Sequence, residues 1–295
     1  MRWCVASLLV VAGCTAPPHA RDTGERGSFV VRSATPPPPS STPAERTSVG
    51  APKDAAPDPE TRRKQVMDAL EGRAPRAWGQ TLDGVLTTFE TDSPRVALTL
   101  DACGGRGGDE YDEELIDLLR AEQIPATLFL TARWIAENRG AAEALAAEPL
   151  FELENHGDHH RPCSVNGRSA YSIRGTRSLA EAIDEITEGA RAIESLTGAW
   201  PRYYRPGTAY FDDVCLDAVQ GLGARPMGYS VVGDAGGGFG RAEIARQIGS
   251  APSGAVILVH MNKPRGSTRE GLRDALPRIR ARAVEFVRLD QVPLR

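Results

Sequence analysis

The sequence predicts an α/β fold, a distorted (β/α) barrel of about seven parallel strands, on two observations. From about residue 62 to the C-terminus, short β-rich apolar runs alternate with stretches of helical periodicity. The chemically capable side chains fall directly after those runs, at Asp101, His156, Arg205, Asp234 and His260. Parallel barrels gather their chemistry at the C-terminal ends of the strands, so a polar residue recurring at successive strand ends reads as one site assembled from distant segments.

Taken in order, residues 96–100 form the first apolar run, and residues 111–122 have helical spacing through Leu115, Leu118 and Leu119. Residues 126–130 and 151–154 read as the next two strands, followed by a Gly-, Ser- and Arg-rich loop at 164–177. Ser178 and Glu181 make a capping-box signature for a helix whose Leu179, Ile183, Ile186, Ala190 and Ile193 share one face. Residues 203–205, 227–231, 256–259 and 286–289 supply further short strands, and an amphipathic helix is expected over 212–222. There is no internal repeat.

Ahead of this domain, Met1 and Arg2 precede an apolar run at residues 5–11 that is too short to span a bilayer but suits a secretory signal. Val11-Ala12-Gly13-Cys14 resembles the lipobox of bacterial lipoproteins, in which the cysteine is lipidated; an ordinary signal peptide is the alternative. Residues 1–14 are therefore expected to be a lipoprotein-type signal peptide, and residues 15–61, with consecutive prolines at 36–39, a disordered Pro-rich linker. Residues 62–295 are left as the catalytic domain of an exported, cell-envelope protein held to the membrane through a lipid anchor. With 35 basic against 39 acidic residues and a net charge of −4, no nucleic-acid partner is expected.

Three of the five histidines lie within residues 156–160. His156 and His160 stand four apart, so one helical turn after the strand would aim both imidazoles at a shared metal ion. Of the five cysteines, Cys4 and Cys14 belong to the leader. Cys103 and Cys163 each follow a polar strand-end motif and are expected at one barrel mouth, either bridged or unpaired, with Cys215 a small buried hydrophobe in its helix.

Five ordered segments carry a family resemblance: Thr99-Leu100-Asp101; residues 155–162 around His156 and His160; Tyr204-Arg205-Pro206-Gly207; Asp234; and Leu258-Val259-His260. Together they resemble the motifs of the polysaccharide deacetylase family, the NodB-homology carbohydrate esterases, from about Trp78 to the C-terminus, with residues 126–131 similar to the family's second strand. The resemblance implies a divalent metal, usually zinc, and hydrolysis of N-acetyl groups on amino sugars. It makes His156 and His160 metal ligands, Asp101 the general base, Arg205 its ion-pair partner, His260 the general acid and Asp234 the carboxylate that orients His260. It also puts Thr208, Tyr210 and Leu258 on the substrate, Thr208 through a backbone N–H toward the oxyanion.

Two positions depart from the family pattern. Gly207 replaces a common proline, and Ala102 replaces the aspartate that usually supplies the third metal ligand. Asp112, beyond the glycine-rich 104–108 loop, is the first choice to replace it, with Cys103, Asp101 or water as alternatives. The expected function is metal-dependent N-deacetylation of an amino-sugar polymer, with peptidoglycan leading because the anchor places the enzyme beside the wall. An O-acetyl esterase on the same fold and a catalytically silent glycan-binding barrel remain as alternatives.

Overall fold

The computed structural model describes residues 58–294. The signal peptide, Cys14 and nearly all of the linker lie outside the described residues. The helices are α1 (Pro59–Leu70), α2 (Glu113–Ala121), α3 (Ala132–Glu137), α4 (Arg139–Ala146), α5 (Leu179–Thr197), α6 (Asp213–Gly221), α7 (Arg241–Gly249) and α8 (Thr268–Ala281). The strands are β1 (Trp78–Gly79), β2 (Arg95–Ala102), β3 (Ala126–Leu130), β4 (Phe151–Asn155), β5 (Ser169–Ala170), β6 (Ile173–Arg174), β7 (Tyr203–Tyr204), β8 (Phe211–Asp212), β9 (Arg225–Pro226), β10 (Val231–Val232), β11 (Val256–His260) and β12 (Glu285–Val287).

Seven strands form one continuous parallel path, β10-β11-β2-β3-β4-β7-β9, and β12 pairs with the N-terminal end of β2. This is the distorted barrel expected, curled but open between β9 and β10 among the described residues. Its central strand is buried on both faces from Val96 to Ala102, which is why the sequence there is an almost unbroken apolar run rather than an alternating one. The two-residue period still sorts the side chains. Leu98, Leu100, Leu128, Leu130, Leu153, Ile257 and Val259 pack outward in one core with α2, α7 and α8, whereas Ala97, Phe129 and Val256 belong to an inner cluster with Tyr203 and Met227. Asp101, His156 and His260 continue the inner series of β2, β4 and β11 past the apolar layer. Register brings them level: His260 lies opposite Asp101, and Leu130 opposite Asn155, the residue before His156.

The helices form where the spacing indicates. Ser178 Oγ caps α5 by accepting from Glu181 N–H at 3.2 Å, while Glu181 reaches back to the N–H of Arg177 at 2.9 Å, and Ile183, Ile186, Ala190 and Ile193 are buried. Helix α1 opens at Pro59 behind the Asp58 cap, so the folded segment includes residues 59–61, which composition assigns to the linker; Val66 and Leu70 bury it in a cluster with residues of α5 and α6. The single strand expected over 227–231 is instead two short ones, β9 and β10. Between them Met227 bridges to Leu86, and the Gly228 N–H donates to the Leu86 carbonyl at 2.8 Å, which draws the chain off the sheet path.

Candidate active site

At the end of β2, Asp101 is 3% exposed and Arg205, just past β7, is fully buried. The Arg205 guanidinium donates to Asp101 Oδ1 at 2.6 Å, to Thr99 Oγ1 at 3.0 Å and to the Gly228 carbonyl at 2.9 Å, and it lies 4.1 Å above the Phe129 ring. Burial alone would raise the Asp101 carboxyl, but Arg205, aided by His156 and His260, holds it below the usual carboxylate range. Asp101 is therefore ionised and its Oδ1 is committed, leaving Oδ2 facing His156 Nε2 at 3.5 Å.

His156 and His160 do converge, with ring centroids 4.9 Å apart, but not by the helical turn that their spacing suggests. Residues 156–160 are loop, turned by Gly157 at φ 88° and His160 at φ 61°. The Glu185 carboxylate, reaching up from α5, shapes that loop by accepting the N–H groups of His159 at 2.9 Å and Arg161 at 3.1 Å. A Cβ on Gly157 would stand 2.5 Å from that carboxylate, so a larger residue has no room there. His156 Nδ1–H donates to the Arg205 carbonyl at 2.7 Å, because a carbonyl can only accept; the Nε2 lone pair is thereby left facing the barrel mouth. Burial lowers the His156 pKa, which keeps it neutral as a ligand must be.

The third corner is His260. Its Nδ1 pairs with Asp234 Oδ1 at 2.8 Å and its N–H donates to Asp234 Oδ2 at 2.7 Å. Asp234 is itself fully buried and steadied by Thr268 Oγ1 at 2.9 Å. Burial opposes charge on His260, yet Asp234 outweighs it and the imidazole pKa lies well above its usual value. That is the protonation state a general acid needs at neutral pH.

On the rim, Leu258 continues the inner face of β11, and Thr208 sits in a 3₁₀ turn at φ 74°. A β-branched residue rarely adopts that conformation, and the Thr208 hydroxyl is buried without a hydrogen-bond partner in the protein. Gln80 Nε2 holds the turn by donating to the Thr208 carbonyl at 2.8 Å and to the Tyr229 hydroxyl at 3.0 Å. Tyr210 stacks with Trp78 at 5.4 Å and meets Tyr171 edge-on at 5.8 Å, with Arg168 over the Trp78 ring at 5.1 Å. Trp78, Gln80, Tyr171 and Tyr229 escape the sequence reading because they come from segments outside the strand-end motifs. The only sequence signal is a lone aromatic in each of three segments, Trp78, Tyr171 and Tyr229.

Two expectations are corrected. Asp112 does not reach the histidines: it is 4% exposed at the N-terminus of α2, where its Oδ1 accepts from Leu115 N–H at 2.9 Å. The glycine-rich loop closes on itself, Gly104 N–H to the Gly108 carbonyl at 2.8 Å, rather than folding that carboxylate over β2. The disulfide joins Cys163 to Cys215, and Cys103 is free. Cys163 exchanges backbone hydrogen bonds with residues 210–212, its N–H to Tyr210 and its carbonyl from Asp212, and Asp212 caps α6 through the Cys215 N–H at 2.8 Å. The first turn of α6 is thus carried against Cys163, so Cys215 is a cross-link as well as a buried side chain.

Cys103 lies instead among the histidines. Its Sγ is 4.0 Å from His156 Nε2, and ligand atoms of Cys103, His156 and His160 lie within 4.8 Å of one another. Burial works against its thiolate, but His160 and His260 bring the pKa down to about 6. The mouth therefore combines an ionised carboxylate, a charged imidazole level with it on the neighbouring strand and a nearby cluster of imidazole nitrogen and soft sulfur donors, a set suited to metal-assisted hydrolysis.

Comparison with known proteins bears on the fold. Among solved structures, a carbohydrate esterase family 4 pseudoenzyme from Bacillus anthracis superposes with a TM-score of 0.60 at 20% identity, covering 72% of this chain and 69% of that one. The peptidoglycan N-acetylglucosamine deacetylase Bc1960 superposes at 0.59 and 20% identity, over 70% of this chain and 91% of its own. PdaA of Bacillus subtilis, a family 4 carbohydrate esterase, does so at 0.55 and 18%, over 78% and 88%. At such identities the likeness is one of fold. An uncharacterised Bacillus subtilis protein, YlxY, is 27% identical over 128 residues, 43% of this chain, and the match spans 35% of that relative's length. The polysaccharide deacetylase family profile matches residues 89–227, from ahead of β2 through the Arg205 motif. That match, the fold and the strand-end site, all in one domain, support the polysaccharide deacetylase family for this chain, the matched stretch being residues 89–227.

Proposed function

We propose that the chain is a metal-dependent hydrolase that removes N-acetyl groups from an amino-sugar polymer, peptidoglycan or a related N-acetylglucosamine-containing polysaccharide. The observation that carries this reading is a buried, Arg205-held Asp101 level with an Asp234-held His260 on the neighbouring strand, beside the converging His156 and His160. The donor set fits a divalent ion, since His156 has its Nδ1 anchored and its Nε2 free toward the cluster, as ligating imidazoles do. When bound, such an ion, zinc on this nitrogen and sulfur donor set, would polarise the acetyl carbonyl and acidify the attacking water.

The chain's own residues do the rest. Asp101 takes the proton of the water whose oxygen adds to the amide carbon. His260 delivers a proton to the nitrogen as the C–N bond breaks, so that amine and acetate leave in balance. Asp234 keeps the His260 ring oriented and charged. The strained turn at Thr208 presents its backbone to the developing oxyanion, and Leu258 stands beside the acetyl methyl. Trp78, Tyr171 and Tyr210 form an aromatic rim suited to the apolar faces of sugar rings, with Tyr171 70% exposed.

Ala102 favours a second reading, a silent glycan-binding barrel, because it removes the carboxylate that the family resemblance expects of the metal shell. Acetate release from N-acetylated and O-acetylated oligosaccharides, with and without zinc, separates the readings. Release from the N-acetylated set alone is expected; preference for O-acetyl groups would make the chain an esterase, and no release from either would favour the silent barrel. Asp101→Asn and His260→Ala should each cost roughly a hundredfold to ten-thousandfold in rate while leaving the fold intact. We also propose an envelope location through lipidated Cys14, tested by whether Cys14→Ser moves the protein from the membrane fraction to the soluble one.

A further inference from the structure

We infer that Cys103 is the third protein ligand of the metal, giving a Cys-His-His site in which a thiolate takes the place of the carboxylate that Ala102 cannot offer. The inference rests on the metal-dependent reading above and concerns the composition of the same site.

Position comes first. A tetrahedral zinc with bonds of about 2.3 Å to sulfur and about 2.0 Å to nitrogen holds those two donors roughly 3.5 Å apart. Cys103 Sγ and His156 Nε2 stand 4.0 Å apart, and His160 completes a triangle with no edge above 4.8 Å. The main chain sets this aim. The Cys103 carbonyl is gripped by Thr131 Oγ1 and Arg133 Nε, each at 3.0 Å. Gly104 follows at φ 69°, where a Cβ would lie 2.6 Å from Arg133 Cγ and 2.9 Å from the Trp134 nitrogen. The turn that points Cys103 into the mouth is thus held by α3 and admits only glycine after it.

The rival ligands have other roles. The Asp112 carboxylate caps α2; Asp101 has Oδ1 bound to Arg205 at 2.6 Å, and its Oδ2, 3.5 Å from His156 Nε2, is the oxygen left to act as base, outside the trio that Cys103 forms with His156 and His160. Among the described residues one other trio gathers three ligand atoms, Asp158, His159 and Glu185. It contains neither motif histidine, and Glu185 there is taken up by the N–H groups of His159 and Arg161. Cys103 itself is not held in a disulfide, since Cys163 is bonded to Cys215.

The chemistry is coherent. A thiolate brings the same single negative charge as the missing carboxylate, so the charge balance around the ion is kept. Three protein ligands leave one position for water, as a catalytic zinc requires. A softer donor set shifts preference toward zinc and cobalt and away from magnesium, calcium and manganese.

The test uses the full chain with its disulfide intact and reads metal binding rather than acetate release. Cobalt-loaded wild-type protein should show a near-ultraviolet sulfur-to-cobalt charge-transfer band. Cys103→Ser should abolish the band and weaken zinc affinity by about tenfold or more, at least what loss of an outer-shell partner costs. Cys103→Asp should recover much of the affinity without the band, and that variant together with the wild-type spectrum decides the matter even if Cys103→Ser misfolds. A cobalt-loaded wild type with no such band, or unchanged zinc affinity in Cys103→Ser, would overturn the assignment of Cys103 while leaving the His156 and His160 site standing. Failure of the wild type to bind either metal would overturn both.

Discussion

Replacing Arg205 with methionine should destabilise the domain by about 3–5 kcal/mol, and the loss should depend on pH in a specific direction. The guanidinium is fully buried and contacts Asp101, Thr99, Gly228 and the Phe129 face, so Arg205→Met keeps much of the packing volume while removing every donor. What remains is a carboxylate 3% exposed with no cation in contact, the situation in which breaking a buried pair costs most. In the parent the Asp101 pKa is below its ordinary value of 3.8, so its contribution is present above pH 3.8 and is lost as pH falls through the folded value. In the variant, burial acts unopposed by Arg205 and raises that pKa, so the penalty is absent at low pH and grows as pH rises past 3.8. The deficit of Arg205→Met relative to wild type should therefore be largest at neutral pH and shrink toward pH 3.8. Urea denaturation of chelator-treated protein at several pH values measures it, and Asp101→Asn/Arg205→Met should recover most of the loss. A deficit under about 1 kcal/mol at neutral pH, or one that does not vary with pH, would refute the claim that the pair is a mutually dependent buried unit.

Three further outcomes are expected. Cys163→Ser should cost up to about 4 kcal/mol in the loop-entropy account, given the sequence separation of 52, and reduction of the wild type should match it; equal denaturation midpoints would argue against the Cys163–Cys215 bridge. Asp112→Ala should lose about 1 kcal/mol as a helix cap is removed and leave zinc affinity unchanged, whereas a tenfold weaker zinc affinity would return Asp112 to the metal shell. Glu154, buried beneath the site and accepting from Tyr203 N–H at 2.8 Å, has its pKa raised well above 4.5, first by burial. Its stability effect is favourable below pH 4.5 and declines as pH rises toward the folded value; Glu154→Gln should thus be more stable than the parent at neutral and alkaline pH, with the gap closing near pH 4.5, and parallel melting curves across that range would contradict it.

The elements, and most of the side chains that meet at the barrel mouth, are legible in the amino-acid sequence. Burial on both faces writes residues 96–100 and 126–130 as apolar runs, and the strand period then carries Asp101, His156 and His260 to the inner face at the barrel mouth. These are local regularities, readable from a few neighbouring residues. Partner choice was decided only by the tertiary structure, because it depends on which distant segments the register and the loops bring together. The spacing of His156 and His160 marked them as a pair, but a loop shaped by Glu185, not a helical turn, makes them converge. Cys163 and Cys103 stand in similar places along the chain, yet pairing of residue 163 with 210–212 carries Cys215 to the first, and the turn at Gly104 aims the second at the histidines. Asp112 was eligible by composition alone; the helix beginning at its own position claimed its carboxylate, since an unsatisfied N–H one turn away is a nearer partner than a cluster across the mouth.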